Sequence, residues 1–592
     1  MQEIREQLKQ IIKDLYGLED FEPELTPAPD NIDADYSTNA PLKLARELHK
    51  NPMDIARGLL EAFVSVRYNG SERRSEPHND GRERGGEQKI LITPPGFINF
   101  VLSEDYLSKK TNELCNDFEK SIKSDEYNGQ TIICEFSDPN PFKVLHVGHL
   151  YTSVVGDSIS KLFEYAGANV IRANFGGDVG LHVAKTMYIL QQKDPKTLTI
   201  EDIAKCYIEG TKAYDEDEQA KQEITKLNKA IYQINAEKLH DTPLAELYWK
   251  GRELSYDYFR SFYNQIGVKF DKYYPESTVA ALGLQTVKEQ LANGVYEISD
   301  GAVIFNGDKF GLHTRVFINK EGVPTYEAKD VGLIFTKWQD YHFDKSVVIT
   351  GSEQKDYMAV VLKSVEQYAP ELVERTDHLT HGLVKLPGGI KMSSRKGNFL
   401  KAVDVLDMIK EELKSQYDST DETVALAATK YAFLKYKMGG NIIFDPQESV
   451  KMTGNSGPYL LYACVRARKI LASANNTFEE HSRRRGANGA TEPHNDGSEG
   501  AFRESIITDA ERNLAKKILE YKDTLQEAVH EMAPHKLANY LYELAQEFSR
   551  FYEHCPVIGS DQEVERLKLI QAYFNTMQHG LDILGINIPE EM

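Results

Sequence analysis

Two tryptophans and five cysteines are the scarcest side chains in this chain of 592 residues. The cysteines, Cys115, Cys134, Cys206, Cys464 and Cys555, never fall in a Cys-x-x-Cys spacing. That excludes a sequence-encoded disulfide framework or cysteine zinc site and suits a reducing compartment. Positive charge is also in deficit: 70 Lys and Arg stand against 91 Asp and Glu, a net charge of -21. Such a balance favours solubility and counts weakly against a sequence-independent nucleic-acid binder, because local basic patches rather than the total decide that binding. No apolar run approaches the roughly 20 residues of a membrane span. The start, MQEIREQLKQIIKDLYGL, reads as an amphipathic helix and not as a signal peptide. A soluble, cytoplasmic protein with no membrane partner is expected.

What the chain does have is length, and at roughly 100–200 residues per domain it should hold three or more. Residues 1–112 combine the helical start, a charged amphipathic segment (LKLARELHKNPMDIARGLLEAF) and a strand-like stretch (KILITPPGFINFVLS), together a small α/β module. Across residues 113–445, apolar strand candidates (TIICEF, ANVIRANF, SVVITG) alternate with helical patterns, which predicts an α/β domain with a parallel sheet and crossover helices. Residues 186–300 within it are mostly helical and polar and read as an insertion. From 446 to 592 nearly everything has helical period, as in KLANYLYELAQEFSRFYE, which predicts an all-α helix bundle.

Two segments break this pattern, residues 69–88 and 479–500. Both are nearly free of aliphatic side chains, and both carry Glu-Pro-His-Asn-Asp-Gly, at Glu76–Gly81 and Glu492–Gly497. Stretches of this composition cannot bury enough apolar area to offset ordering entropy, so two copies of a disordered surface insert are expected. A repeated metal or RNA motif is the competing reading.

The stretch EFSDPNPFKVLHVGHLYTS, residues 135–153, places His146 and His149 around Gly148 where a short buried strand hands over to a helix. A strand, a turn and a helix N-terminus form an anion site. A zinc pair lacks a nearby third ligand, and two satisfied core histidines remain an alternative. The third reading is phosphate handling: imidazoles donate to developing phosphate charge, and a glycine lets a flat base approach the backbone. A second stretch, KLPGGIKMSSRKGN at 385–398, is dense in cations and donors and suits a loop that closes over a triphosphate.

Together, HVGH and KMSSRKG resemble the HIGH and KMSKS motifs of class I aminoacyl-tRNA synthetases. With EFSDPN, NFGGDVG (174–180), PTYEAKD (324–330), YHFDK (341–345) and GNSGPYLLYACVRAR (454–468), the chain resembles the arginyl-tRNA synthetases over nearly its whole length outside the two inserts. The resemblance implies an N-terminal domain that binds the tRNA elbow, a Rossmann-like catalytic domain with helical insertions and a C-terminal helical anticodon-binding domain. It implies activation of L-arginine by ATP with Mg²⁺, transfer to the 3′ end of tRNA(Arg), activation that waits for bound tRNA, and a monomer. A nucleotide site would include His146, Gly148, His149, Gly177, Asp178, Met392, Ser393 and Ser394, with no protein-held metal. Where the motif has its second lysine this chain has Ser394, and the resemblance implies that Lys143, just ahead of HVGH, takes the larger part of that charge beside Lys391, Arg395 and Lys396.

A guanidinium calls for planar carboxylate partners in a fork, which an ammonium cannot match. Glu135, Tyr326 and Asp330 coincide with the family's arginine-site residues, although any single acidic residue is more often ordinary surface. By the same carry-over Asn140 and Gln354 hold the amino and carboxylate ends, in an order left open. For tRNA, Tyr459, Tyr462, Arg466 and Arg468 supply aromatics and cations, against a reading as helix-packing tyrosines with exposed arginines. Phe97 and Asn99 fall where the family's N-terminal domain reads a D-loop base, against a reading of Phe97 as core. Two rivals remain: an RNA-binding relative that has lost catalysis, and a small-molecule nucleotidyltransferase, which would not need so large a helical C-terminal domain.

Overall fold

The computed structural model describes residues 2–29, 31, 32, 34–68, 88–387, 400–487 and 507–592. Residues 69–87 of the first insert, 488–500 of the second and the segment 388–399 thus fall outside the described residues. Contacts divide the chain into two units: Met1–Ile122 with Arg466–Leu525 and Glu543–Gln578, and Lys123–Val465 with Gln526–Tyr542 and His579–Met592.

In the first unit the amphipathic start forms the helix Gln2–Tyr16, and Ile4, Leu8, Ile11 and Ile12 bury along one stripe of it. KILITPPGFINFVLS becomes the antiparallel pair Gln88–Thr93 and Phe97–Leu102, in a four-stranded sheet with Tyr36–Thr38 and Thr26–Pro27. Ile98, Phe100 and Leu102 alternate into the core, as period two requires. The helix Asp509–Leu519 starts with a capping box between Thr508 and Glu511. Its Arg512 and Lys516 close on the buried carboxylate of Asp35, Lys516 at 2.9 Å. The first residues and the late helices therefore build one body.

The second unit is built on a five-stranded parallel sheet. In chain order its elements are β1 (Thr131–Glu135), α1 (Val147–Tyr165), β2 (Asn169–Gly176), α2 (Leu181–Leu190), β3 (Lys272–Pro275), α3 (Glu276–Ala292), α4 (Tyr326–Tyr341), β4 (Lys345–Gly351), α5 (Lys355–Glu366) and β5 (Thr376–His381). The strand order is β5-β4-β1-β2-β3. TIICEF, ANVIRANF and SVVITG supply β1, β2 and β4; Ile132, Ile133 and Cys134 are fully buried, because helices cover both faces of a parallel sheet. Strand order reverses between β1 and β4, which leaves a crevice at their carboxyl ends.

Two expectations are corrected. The span 186–300 contains, besides the helices Ile200–Glu216, Glu218–Glu237 and Pro243–Ile266, the edge strand β3 and its helix α3, so the sheet itself runs through part of the expected insertion. KYYP is four residues long and carries no periodicity to read. The helix Gly457–Ala487 continues through 479–487, which composition assigned to a disordered insert. Glu, Arg and Ala are good helix formers, and a helix satisfies its own backbone without needing a core.

Candidate active site

Between β1 and α1 the chain takes a path that most residues avoid: Ser137, Asp138 and Phe142 have φ of 74°, 49° and 65°. Each such residue costs on the order of 1–3 kcal/mol, so the surroundings must hold the loop. Asp138 Oδ1 accepts from the Phe175 N–H at 2.8 Å, Asn140 Oδ1 from the Gly177 N–H at 2.7 Å, and Ser255 Oγ from the Phe142 N–H at 3.0 Å. Tyr263 OH lies 2.8 Å from Ser137 Oγ. Ser153 on α1 donates to the His149 carbonyl at 2.6 Å.

The loop delivers His146 to the N-cap of α1. His146 Nδ1 accepts from the Gly148 N–H and His149 Nδ1 from the His146 N–H, both at 3.1 Å, and the two rings stack with centroids 3.8 Å apart. A Cβ on residue 148 would stand 2.9 Å from the His146 ring, so the glycine here makes room for that ring to fold back. With each Nδ1 occupied as an acceptor, each ring carries its proton on Nε2. Burial first, then the charge of Lys143, pushes His146 down to about 4, and burial with the His146 and Lys143 charges pushes His149 well below its ordinary value. The result is a pair of uncharged donors at a helix N-terminus.

His146, Gly148, His149, Asn140 and Gly177 line one side of a cavity of about 590 Å³ at the carboxyl ends of the strands. Glu135, Tyr326, Asp330 and Gln354 line it as well. Glu135, 3 % exposed, closes β1, and its Oε2 accepts from Lys337 Nζ at 2.8 Å; Lys337 also donates to Ser346 Oγ at 2.9 Å. Asp330, one turn along α4 from the half-exposed Tyr326, accepts from the Tyr357 hydroxyl. Burial pushes its carboxyl up to about 8, with the Tyr357 hydrogen bond opposing and Glu135, Glu276 and Glu327 adding to the rise. Helices α3 and α4 meet at Gly283 and Gly332, where a Cβ would come within 1.9 Å and 2.2 Å of backbone carbonyls. That approach sets Glu276 Oε2 at 2.6 Å from Lys329 Nζ.

Two expected residues lie outside the lining. Asp178 is fully buried, and its carboxylate accepts from Arg252 Nε at 2.9 Å and from Ser277 N and Oγ at 2.9 and 2.7 Å, so its acceptors are engaged inside the fold. Lys143 sits with Nζ 4.8 Å from the Tyr207 ring centroid, and its charge reaches both histidines and Glu276. Lys391, Met392, Ser393, Ser394, Arg395 and Lys396 fall outside the described residues. The chain re-emerges from that segment against the histidines: Leu400 O accepts from Val147 N at 2.9 Å, and Ala402 N donates to Leu145 O at 3.0 Å.

Sequence reasoning missed several cavity residues. Asp138 stands inside the quoted stretch and two positions from Asn140, so its type and place were a usable signal. Glu276, Tyr357 and His381 carry none, since tertiary packing alone brings them in.

The residues expected to meet tRNA have mixed surroundings. Asn99 is 1 % exposed, and its amide donates to Thr93 Oγ1 at 3.0 Å and to Leu91 O at 3.4 Å; Phe97 opens the same strand, half-buried. Tyr459 packs edge-on against Tyr542, Tyr462 is exposed, and Arg466 lies over the Tyr552 ring at 4.4 Å. At roughly 100° per residue, Arg468 falls on the opposite side of the helix Gly457–Ala487 from Tyr459, so the four do not share one face.

Comparison with known proteins bears on all of this at once. The model for tRNA synthetases class I (R), catalytic domain, matches residues 111–445. Models for the DALR anticodon binding domain and the Arginyl tRNA synthetase N terminal domain match residues 460–592 and 2–71. The Arginine–tRNA ligase of Crocosphaera subtropica is 28% identical, with 100% of both chains covered, and that of Flavobacterium psychrophilum is 28% identical over 84% of this chain and 85% of its own. Among solved structures, the arginyl-tRNA synthetase of Thermus thermophilus superposes with a TM-score of 0.75 at 23% identity, covering 100% of both chains. That of Plasmodium falciparum gives 0.74 at 20% identity, covering 100% of this chain and 99% of its own. At those identities the superpositions establish the fold. With the catalytic-domain model spanning more than half of its residues, the chain belongs to the class I tRNA synthetases (R).

Proposed function

We propose that this chain is an arginine–tRNA ligase, activating L-arginine with ATP and passing it to tRNA(Arg). The observation that carries the proposal is one cavity with two chemistries: a pair of neutral Nε2–H donors at a helix N-terminus, and buried carboxylates at the neighbouring strand ends. Glu135 and Asp330 take the guanidinium, which offers five N–H groups in a plane, and Tyr326 covers it from the rim. Asn140 and Gln354 hold the amino and carboxylate ends. The arginine carboxylate oxygen attacks the ATP α-phosphorus; the bond to the β-phosphate's bridging oxygen breaks, and pyrophosphate leaves. His146 and His149 donate to the phosphate oxygens as their charge grows, a stabilisation that costs no reorganisation because backbone N–H groups already fix both tautomers. Lys143, with Lys391, Arg395 and Lys396, carries the leaving-group charge, and Gly148 and Gly177 give the nucleotide access to the backbone. Mg²⁺ enters as part of the MgATP substrate; no described group of three or more His, Cys, Asp or Glu side chains could hold an ion itself. A terminal ribose hydroxyl of the tRNA then attacks the adenylate carbonyl and AMP leaves.

The further assignments are part of the same proposal: residues 1–112 bind the tRNA elbow, 113–445 catalyse and 446–592 bind the anticodon, in a cytoplasmic monomer whose activation needs bound tRNA. Arg466 and the exposed Tyr462 support a tRNA role best, since Asn99 is occupied within its hairpin. Among the described residues no helix is long and apolar enough to cross a membrane. The test is exchange of labelled pyrophosphate into ATP with each amino acid in turn, with and without total tRNA. Exchange with arginine alone, and only with tRNA present, is expected; exchange with no amino acid would leave a binding protein that keeps the histidines without the chemistry.

A further inference from the structure

The helix Ile200–Glu216 contributes no residue to the lining of the cavity, yet it reaches the loop ahead of the histidines. Tyr207, half-buried on that helix, lies under Lys143, whose Nζ stands 4.8 Å from the ring centroid. Two features fix this contact. Phe142 and Cys206, the residues immediately before Lys143 and Tyr207, are both fully buried in one cluster with Val179, Val183 and Ile203. Gly210, one turn beyond Tyr207, presses so closely on α2 that a Cβ there would stand 1.9 Å from the Lys185 carbonyl oxygen. Ring and ammonium are therefore set against each other by a packed core, which does not slide freely.

The contact gains its meaning from where Lys143 acts. Its charge bears on His146 and His149, and on His182 and Glu276 as well, so an ammonium on this ring already stands at the histidine end of the cavity. Tyr207 is also near the rim: burial pushes the Tyr326 hydroxyl up to about 12, with Glu276, Tyr232 and Tyr207 adding to the rise. A lysine stem is flexible, and ordering it only when a phosphate arrives costs rotamer entropy at that moment. A ring face holds an ammonium through its quadrupole and brings no countercharge of its own, so the cation keeps its attraction for a phosphate. The carboxylates that hold Lys329 and Lys337, Glu276 at 2.6 Å and Glu135 at 2.8 Å, offset those charges instead.

We propose that Tyr207 is a positioning residue for the activation step, its ring face presenting the Lys143 ammonium to the departing pyrophosphate from a place set before ATP binds; this rests on the reading of Lys143 given above. A cation–π contact corresponds to a change of about two- to thirtyfold, the larger value where the pair is desolvated.

The test uses the full chain with tRNA and follows arginine-dependent pyrophosphate exchange for Tyr207→Leu and Tyr207→Phe, each in the wild-type chain and in Lys143→Met, with Tm as a check on folding. Tyr207→Leu should lower kcat/KM for pyrophosphate about three- to thirtyfold and leave the KM for arginine within twofold. Tyr207→Phe, which keeps the ring face, should stay within twofold of wild type. In the Lys143→Met chain, Tyr207→Leu should add less than twofold, because the pair acts as a unit. An equal loss in Tyr207→Phe and Tyr207→Leu would assign the effect to the hydroxyl and overturn the proposal. So would the same loss with and without Lys143, or a gain in Tyr207→Leu, which would mean that the ring holds the ammonium away from the phosphates. Lys143→Met within twofold of wild type would defeat the reading of Lys143 and this proposal with it, whereas absence of arginine-dependent exchange in the wild type would defeat the ligase reading itself.

Discussion

Burial acts on both ends of the cavity in the same way and produces opposite situations. At the histidine end it removes positive charge, and His146 and His149 become neutral donors ready in the empty enzyme. At the carboxylate end it disfavours negative charge: the Asp138 carboxyl is pushed upward, and Asp330, pushed up to about 8, keeps a proton that it must release before it can grip a cation. Desolvation thus finishes one end in advance and leaves the other waiting for its ligand.

The sharpest way to break this contrast is His149→Ala. It removes a donor and the ring that caps His146, so kcat for arginine-dependent exchange should fall by about 10²–10³ while direct arginine binding stays within twofold. A parallel loss of arginine affinity would mean that the two ends are not separate.

Asp330→Asn comes next, with an expected rise of roughly tenfold or more in the KM for arginine and little change for ATP. The same variant tests the protonation difference. Asp330 in the folded, empty enzyme keeps its proton up to about pH 8, against an ordinary value of 3.8. The folded state therefore binds more protons than the unfolded state between those values, and stability without arginine should fall as pH rises through that window. Over pH 7–9 the KM for arginine should fall as the carboxylate ionises, whereas the histidines, already neutral, add no dependence there. Thermal melts and exchange kinetics across pH, with Asp330→Asn flattening both slopes, would verify this.

The smallest effect belongs to Gly148→Ala. The added methyl meets only the His146 ring, a side chain that can move, so kcat should drop about tenfold with the KM for arginine unchanged.

How far the sequence led depended on how local each cause was. The strands TIICEF, ANVIRANF and SVVITG announce themselves because a buried parallel strand is a short apolar run, and HVGH marks the helix start that follows. KYYP does not, since its neighbours in the sheet and not its own pattern make it a strand. Residue type also says nothing of who already occupies a side chain. Asp178 and Asn99 looked available and are engaged within the fold, while Asp138 sat unassigned two residues from Asn140. The continuation of the late helix through residue 487 went unread because a composition too polar for a core was equated with no structure.

The clasp of Arg512 and Lys516 on Asp35 also sets a timetable. A ribosome delivers the acid within the first residues and its partners near the end, with the whole stretch from Lys123 to Val465 emerging between them. At about 5–20 residues per second that interval alone is roughly 20–70 s. The body that contains the first residues therefore waits for its late helices, and a chain interrupted before Arg512 leaves Asp35 without the charges it is buried to meet.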